Sequence, residues 1–385
     1  MKGAAIHAVA ADTVFDGAAL HRDHAVVIEA GTITALMPRR DLLRGLPVQD
    51  LPDGIWLAPG FIDVQVNGGG DVLFNATPTV DGIAAIAAAH RRFGTTALLP
   101  TLISDTSDKM QAAASAVEAA IVSIPGVLGM HFEGPFLSPE RAGVHDPAML
   151  RPPTQDDLAF LMAPRSGVRM VTLAPERMPA GFIRPLAADG LRIALGHSMA
   201  TYAETRAALA EGLTGFTHLF NAMRPLASRE PGPIAAALET PGAFYGMIVD
   251  GEHVAAPMLR LALRGLGQPM LVTDAMPPVG GIRADFMLGG KRITVRDGRL
   301  TTEDGTLAGA ALDMAGAVRN CVRLLDLPLP DALRLASAAP AAFLGLADRL
   351  GHLRPGYRAD IVAFDPAEIH VLASWVAGEE TRPGR

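Results

Sequence analysis

Three predicted strands end in side chains that could bind one metal ion together. The segment GMHFEGPF is a short apolar strand that leads into Glu133, and Pro135 ends it because proline has no N–H for a strand ladder. The segments ALGHS and FTHLFN end in the same way and offer His197 and His218. One carboxylate and two imidazoles suit a catalytic zinc ion, which takes three protein ligands and keeps a fourth position open for water. Each residue alone could be an ordinary polar group at a strand end, but their shared placement predicts a metal site.

A further carboxylate follows the last strand of the same region. The segment TDA places Asp274 at the edge where parallel sheets carry their chemistry. A carboxylate beside a metal site can accept a proton from water as the water attacks a carbonyl, and can then pass the proton to the leaving amine. A helix cap or a structural aspartate would explain Asp274 equally well on its own. Beside three candidate ligands, it is predicted to be the general acid/base.

Three more candidates lie on loops that follow predicted strands. His145 is in the long loop after Glu133, where a histidine can polarise a substrate carbonyl. His253, in VDGEH, and Arg229, in ASREPG, could bind an anion or a sugar. A loop residue of these types is more often only solvent-exposed, so the residues alone leave both interpretations open.

Alternating strand and helix patterns indicate the elements that position these residues. FIDVQV, after Pro59 and Gly60, is a nearly continuous apolar strand, typical of strands that are buried on both faces of a parallel sheet. From there, eight predicted strands alternate mostly with helical stretches, which is typical of a closed (β/α)8 barrel. The predicted fold class is therefore α/β, with a TIM-like (β/α)8 barrel at 58–349 and a small β-sandwich domain built from 1–57 and 350–385.

Local signals refine this prediction. Residues 25–36 have the pattern of a hairpin, and 282–307 alternate and turn like a second hairpin inserted in the barrel. The stretch 106–123 is helical, with Asp105 or Thr106 as its N-cap.

Composition limits the classes of partner. The chain has 33 Lys and Arg against 40 Asp and Glu, a net charge of −7, with no long basic run, which argues against nucleic acid as a partner. Cys321 is the single cysteine, so no intrachain disulfide is possible and a reducing compartment is expected. No run approaches 18 uncharged apolar residues, so no transmembrane helix is predicted. We therefore expect a cytoplasmic protein that binds neither nucleic acid nor membrane.

Taken together, these motifs resemble the N-acetylglucosamine-6-phosphate deacetylases of the amidohydrolase superfamily, over nearly the whole chain. The matching segments are PGFIDVQVNGGG, HFEGPF, GVHDP, GHS, THLFNAM, REPG, VDGEH, TDAM, GTLAGAALDM and PGYRADIVAFD. HFEGPF, THLFNAM and VDGxH together are specific to this family, whereas PGFID and GxxADxV are shared across the superfamily. The resemblance implies a metal-dependent hydrolase of linear amides. It would convert N-acetylglucosamine 6-phosphate to glucosamine 6-phosphate and acetate in amino-sugar catabolism or cell-wall recycling.

The resemblance also implies roles for individual residues. Glu133, His197 and His218 would be the metal ligands, Asp274 the general acid/base, and His145 the group that holds the acetamide carbonyl.

The phosphate of the substrate would meet a second group of residues. The resemblance places Asn221, Ala222 and Arg229 at the phosphate, and His253 at a substrate contact near the subunit edge. Phosphate contacts in this family can come from a neighbouring subunit, so a homodimer is implied.

One departure from the superfamily pattern bears on the metal content. Many members carry His-x-His after the first barrel strand and bind two metal ions, but this chain has Gln65 and Asn67 there. Because amides are poor zinc ligands, we expect one divalent ion per subunit, with Zn²⁺ as the expected ion.

Other functions stay open at this point. The alternatives are a related amidohydrolase, such as an N-acetylgalactosamine-6-phosphate deacetylase or a D-aminoacylase, and, more remotely, a non-catalytic binding protein on the same fold.

Overall fold

The computed structural model describes residues 6–382, which form two compact units. The first contains the described residues of Met1–Asp63, Ala88–Ala97 and Asp313–Arg385, and the second contains Val64–Ala87 and Leu98–Leu312. The domain boundaries expected at 57/58 and 349/350 stay a prediction.

The secondary structure alternates strands and helices through the middle of the chain. The strands are β1 (His7–Phe15), β2 (Leu20–Glu29), β3 (Thr32–Pro38), β4 (Val48–Asp50), β5 (Trp56–Pro59), β6 (Phe61–Val66), β7 (Gly68–Gly69), β8 (Val72–Leu73), β9 (Thr95–Ile103), β10 (Gly129–Glu133), β11 (Val168–Leu173), β12 (Arg192–Leu195), β13 (Gly215–Phe216), β14 (Phe244–Met247), β15 (Gln268–Leu271), β16 (Asp285–Leu288), β17 (Lys291–Arg296), β18 (Arg299–Thr301), β19 (Leu307–Ala310), β20 (Ile361–Asp365), β21 (His370–Val376) and β22 (Glu379–Thr381). The helices are α1 (Val80–Arg91), α2 (Ser107–Ser123), α3 (Gln155–Met162), α4 (Ile183–Ala188), α5 (Tyr202–Glu211), α6 (Gly232–Glu239), α7 (Ala256–Ala262), α8 (Met314–Leu325), α9 (Leu329–Ala336) and α10 (Ala338–Leu344).

The first unit contains an eight-stranded, mostly antiparallel sheet. Seven of its strands are ordered β22-β21-β20-β5-β1-β2-β3, and β4 pairs with β1. The strands β2 and β3 form the predicted hairpin, whose turn residues Ala30 and Gly31 have φ angles of 50° and 77°. Strand β20 pairs antiparallel with β5, which confirms that the C-terminal segment returns to the N-terminal strands. Buried apolar side chains such as Val9, Ile28 and Trp375 form a core in this unit.

Eight strands form a parallel barrel sheet in the order β15-β14-β13-β12-β11-β10-β9-β6. They are the eight strands that the sequence predicts, and all residues of β6 are buried, as expected for a strand covered on both faces. A parallel bridge between Val66 and Ala275 brings the two ends of the sheet together, so the barrel is nearly closed. The predicted fold class, a (β/α)8 barrel with a separate β domain, is confirmed.

Helix α2 begins and ends within one residue of the predicted helical stretch 106–123. The side chain of Thr106 accepts a hydrogen bond from the Lys109 N–H, so of the two candidates Thr106 is the N-cap of α2. Within residues 6–382, none of the helices has both the length and the apolar character that a membrane crossing requires.

The barrel insertion has more strands than the single hairpin predicted at 282–307. Strands β16 to β19 form a four-stranded antiparallel sheet. Two turns with positive φ angles separate the first three strands, at Gly289–Gly290 (54° and 78°) and at Asp297–Gly298 (51° and 81°). Each is a two-residue turn of the kind that joins twisted antiparallel strands, so two successive hairpins form instead of one.

Candidate active site

The three predicted metal ligands converge at the carboxyl ends of barrel strands. Glu133, His197 and His218 are only 2%, 6% and 3% exposed. Oε1 of Glu133 lies 3.2 Å from Nε2 of His197 and 3.0 Å from Nε2 of His218, and the two nitrogens are 3.1 Å apart. One ligand atom from each residue lies within 4.8 Å of the others, so the group could hold a metal ion. Two imidazole nitrogens and a carboxylate are a donor set that fits zinc and similar divalent ions.

A backbone carbonyl sets the orientation of His197. Nδ1 of His197 lies 2.7 Å from the carbonyl oxygen of Arg141, which can only accept a hydrogen bond. Nδ1 therefore carries the hydrogen, and the lone pair of Nε2 points towards Glu133. This is the tautomer that a metal-binding histidine needs, held by an outer hydrogen bond.

The backbone turns sharply at the strand ends that carry this chemistry. The φ angles of His197, His218 and Asp274 are 48°, 31° and 52°, in the left-handed region that non-glycine residues seldom adopt. Glu133, in contrast, is the last residue of β10 and keeps strand geometry. Such backbone strain is concentrated at functional sites, where the surrounding structure holds it in place.

Charge and burial act in opposite directions on the ligand carboxylate. Burial raises the pKa of Glu133, but hydrogen bonds and charge from His197 and His218 outweigh it and hold that pKa well below its usual range. Burial lowers the pKa of His218, but the bond to Glu133 and its charge raise the pKa overall. The protein thus keeps Glu133 ionised, as a metal ligand must be.

The pKa of Asp274 is shifted in the opposite direction from that of Glu133. Burial and the nearby charge of Glu133 raise the pKa of Asp274 to about 6. Buried amides contact it: Nδ2 of Asn67 donates to Oδ1 at 2.6 Å, and Nε2 of Gln65 donates to the same oxygen at 3.2 Å. A carboxylate with a pKa near neutrality can both accept and release a proton, as general acid/base catalysis requires.

His145 is also buried, at 2% exposure, although it belongs to a loop. Its Nδ1 accepts a hydrogen bond from the backbone N–H of Ser104 at 3.3 Å and lies 2.8 Å from the Ser104 hydroxyl. Burial and the charge of His197 lower the pKa of His145 to about 3, so the ring is neutral and its hydrogen is on Nε2. The ring centroid lies 4.4 Å from that of His197. His145 can therefore donate one hydrogen bond beside the metal ligands.

A cavity of about 320 Å³ brings the predicted site residues together, with the exception of Arg229. The predicted residues that line it are Glu133, His145, His197, His218, Asn221, Ala222, His253 and Asp274. His253 is held by Asp250, whose Oδ2 lies 2.6 Å from its Nδ1. Arg229 is exposed and does not line this cavity, so its role at the phosphate stays a prediction.

Some residues at the site have no functional signal in the sequence. Arg141 lines the cavity, and Ser104 contacts His145, but neither belongs to a motif that predicts a role. Gln65 and Asn67 were predicted only as poor metal ligands, yet they donate hydrogen bonds to the carboxylates of the site. Only the contacts across the barrel identify these residues.

Comparison with known proteins places the chain in a family. Residues 56–382 match the model of the amidohydrolase family. The N-acetylgalactosamine-6-phosphate deacetylase of Shewanella sp. (strain ANA-3) is 44% identical over 328 residues, covering 84% of this chain and 82% of the relative. The N-acetylglucosamine-6-phosphate deacetylase of Haemophilus influenzae is 33% identical over 363 residues, covering 93% and 94%.

A solved structure supports the same relationship. The crystal structure of N-acetylglucosamine-6-phosphate deacetylase from Pasteurella multocida superimposes with a TM-score of 0.94 at 33% identity, covering 98% of this chain and 100% of that one. The chain therefore belongs to the amidohydrolase family, as a hydrolase related to the N-acetylglucosamine-6-phosphate deacetylases that its motifs resemble.

Proposed function

We propose that this protein removes the acetyl group of N-acetylglucosamine 6-phosphate, giving glucosamine 6-phosphate and acetate. The observation that carries the proposal is the convergence of Glu133, His197 and His218 with Asp274 and His145 around one cavity. The relatives that carry the name of this activity support the choice of substrate.

One divalent ion, with Zn²⁺ as the expected species, is part of the proposal. Glu133, His197 and His218 would hold it, and Gln65 and Asn67 leave no second imidazole pair for another ion. When bound, such an ion polarises a carbonyl and lowers the pKa of water.

Asp274 and His145 would carry out the remaining chemistry. Asp274 accepts a proton from water as the water oxygen bonds to the acetamide carbon. His145 donates a hydrogen bond from its Nε2–H to the acetamide oxygen, where negative charge develops. Asp274 then delivers the proton to the sugar nitrogen as the C–N bond breaks, which gives the free amine and acetic acid, and the acid ionises to acetate in solution.

The other end of the cavity would hold the sugar phosphate. Asn221, Ala222 and His253 line the cavity, and the family resemblance implies substrate contacts for all three. Of the cavity-lining residues in the described part of the chain, Arg141 alone is a lysine or arginine. We therefore include Arg141 as a phosphate contact within the same subunit. Arg229 would reach the phosphate from a neighbouring subunit of the predicted homodimer, which light scattering in solution can measure.

The 4-epimer of the sugar is a second candidate substrate. The Shewanella relative, at 44% identity, is named for N-acetylgalactosamine 6-phosphate. The two sugars differ only in the 4-hydroxyl group, which is equatorial in the glucose-configured sugar and axial in the galactose-configured one. An enzyme discriminates between two such substrates by their kcat/KM values, so the ratio of these values decides between the candidates.

The test is acetate release by purified, metal-loaded protein, with the metal content measured on the same sample. The substrates are N-acetylglucosamine 6-phosphate, N-acetylgalactosamine 6-phosphate and unphosphorylated N-acetylglucosamine. We expect the highest kcat/KM for the first sugar and about one ion per chain. Activity on the galactose-configured sugar alone would favour the second candidate. No acetate from any sugar would overturn the proposal, and N-acyl amino acids would then test for a D-aminoacylase.

A further inference from the structure

Two buried amides connect the carboxylates of the active site. Gln65 is 1% exposed and Asn67 is fully buried. Nε2 of Gln65 donates to Oε1 and Oε2 of Glu133 at 3.1 and 3.2 Å, and to Oδ1 of Asp274 at 3.2 Å. Nδ2 of Asn67 donates to the same Oδ1 at 2.6 Å. Because an ionised carboxylate can only accept, the NH₂ end of each amide must face it.

Both amides bind the same oxygen of Asp274. Oδ1 accepts from Asn67 and from Gln65, whereas Oδ2 accepts no hydrogen bond from any residue between 6 and 382. Two donors on Oδ1 lower the basicity of that oxygen and fix the plane of the carboxylate. Oδ2 is then the oxygen that is free to exchange a proton with water or with an amine.

The backbone holds the amides and the carboxylate in register. The N–H groups of Asn67 and Gly68 both donate to the carbonyl oxygen of Ala275, each at 2.9 Å. Val66 and Ala275 form the parallel bridge that brings the two ends of the barrel sheet together. Asn67 and Asp274 are thus neighbours across this junction, joined through both main chain and side chains.

We propose that Asn67 and Gln65 are positioning residues, which hold Oδ1 of Asp274 so that Oδ2 carries the proton of the reaction. The expected effect on turnover rests on the proposed deacetylase function, whereas the positioning itself is argued from the hydrogen bonds alone. Gln65 and Asn67 thus have a role of their own, in addition to replacing the His-x-His pair that many superfamily members carry at these positions. A carboxylate displaced by about 1 Å transfers its proton poorly, and displacements of that size lower turnover by about 100-fold.

Asn67→Leu is the main test, since leucine has a similar volume and no donor. We expect kcat for N-acetylglucosamine 6-phosphate to fall tenfold or more, with KM within twofold of the wild-type value and with unchanged metal content. Gln65→Met is the second variant, and it should lower kcat as well. Circular dichroism and thermal melts show whether each variant is folded. Unchanged kcat in both folded variants, or loss of metal from Asn67→Leu, would overturn the proposal.

A double variant shows whether Asn67 acts through Asp274. In an Asp274→Asn background, measured at high enzyme concentration over hours, Asn67→Leu should cause no further loss of turnover. If the two losses multiply instead, Asn67 acts independently of Asp274 and the proposal is wrong.

A structural readout separates this inference from the identity of the substrate. Crystal structures of metal-loaded wild type and Asn67→Leu should show the Asp274 carboxylate rotated in the variant. An unmoved carboxylate would overturn the positioning role whatever the enzyme hydrolyses. A wild-type protein that is inactive on all the sugars, with a rotated carboxylate in the variant, would overturn only the proposed function.

Discussion

Backbone groups decide which nitrogen the two adjacent histidines present to the cavity. The Arg141 carbonyl accepts from Nδ1 of His197, so His197 presents a lone pair. The Ser104 N–H donates to Nδ1 of His145, so His145 presents an N–H. Two rings whose centroids are 4.4 Å apart therefore have opposite tautomers, one suited to a metal ion and the other to a carbonyl oxygen. The backbone groups of Arg141 and Ser104 thus set the two tautomers.

The phosphate contact is the residue-scale prediction. Nε of Arg141 lies 3.0 Å from the sulfur of Met199, and its terminal nitrogens have no hydrogen-bond partner among residues 6–382. Arg141→Met keeps an unbranched, flexible side chain and removes the charged guanidinium group. We expect KM for N-acetylglucosamine 6-phosphate to rise at least tenfold, because a charge-assisted hydrogen bond contributes about 1.5–3 kcal/mol. Activity on unphosphorylated N-acetylglucosamine should change less than twofold.

Activity on the phosphorylated and unphosphorylated sugars distinguishes the loss of a phosphate contact from a disturbed loop around Arg141. The Arg141 carbonyl also orients His197, so a disturbed loop would reduce activity on both sugars equally, and that result would contradict the prediction. Arg229→Ala is the comparison variant, and because Arg229 is also proposed to meet the phosphate, a selective rise in KM is expected from it as well. If only a neighbouring subunit supplies the phosphate cation, this variant alone will show the selective rise in KM.

At the scale of elements, the strand ends were predictable and the contacts between them were not. Apolar runs that end in Glu133, His197 and His218 identify both the strands and their reactive edge, because parallel strands place their carboxyl ends together. The contact of Asn67 with Asp274 joins residues 207 positions apart. It depends on how the barrel closes, which strand periodicity does not specify.

The insertion shows a second limit of prediction from local patterns. Residues 282–307 were expected to form one hairpin, but the described chain forms three strands there, and a fourth, β19, begins at Leu307 and joins the same sheet. Buried Ile293 and Leu300 lie on neighbouring strands and pack in a common cluster. The number of strands depends on how many Gly-containing segments form tight turns. Both Gly289–Gly290 and Asp297–Gly298 form such a turn, so each connects a hairpin.

Helix α3 provides the element-scale prediction. The side chain of Asp157 accepts hydrogen bonds from the Thr154 N–H at 2.8 Å and from Arg151 at 2.5 and 2.7 Å, and its own N–H donates to Thr154. This is a capping box with an added ion pair. Asp157→Ala should lower the free energy of unfolding by about 1–2 kcal/mol at pH 7, as loss of a cap does. Urea denaturation measures the change, and Asp156→Ala, an exposed neighbour in the same turn, is the control.

The pH dependence of that effect has a defined sign. Burial raises the pKa of Asp157, but the bonds from Arg151 and Thr154 lower it below its usual value overall. A carboxylate whose folded-state pKa is depressed stabilises the protein above its unfolded-state pKa, and the stabilisation disappears as the pH falls through the folded-state value. The difference in stability between wild type and Asp157→Ala should therefore shrink below about pH 4. A difference that stays constant down to pH 2 would contradict this account.

At the scale of the whole molecule, the proposed chemistry is confined to one unit. Every residue that lines the cavity lies within Val64–Ala87 or Leu98–Leu312, including the three candidate metal ligands. Those ligands come from the ends of β10, β12 and β13, so a bound ion would cross-link three segments of the barrel sheet. Metal binding should therefore stabilise the folded chain as well as support the reaction.

Metal removal tests this coupling. A ligand that binds only the folded state stabilises it by about 2.7 kcal/mol when its free concentration is 100 times Kd. Dialysis of the wild type against a chelator should lower Tm, and addition of Zn²⁺ should restore it. His218→Ala removes one ligand, so its Tm should respond far less to either treatment. His253→Ala is the matched control, because His253 lines the same cavity outside the ligand cluster and its replacement should leave the Tm response intact. If Zn²⁺ raises the Tm of His218→Ala as much as that of wild type, the stabilising ion binds elsewhere in the protein.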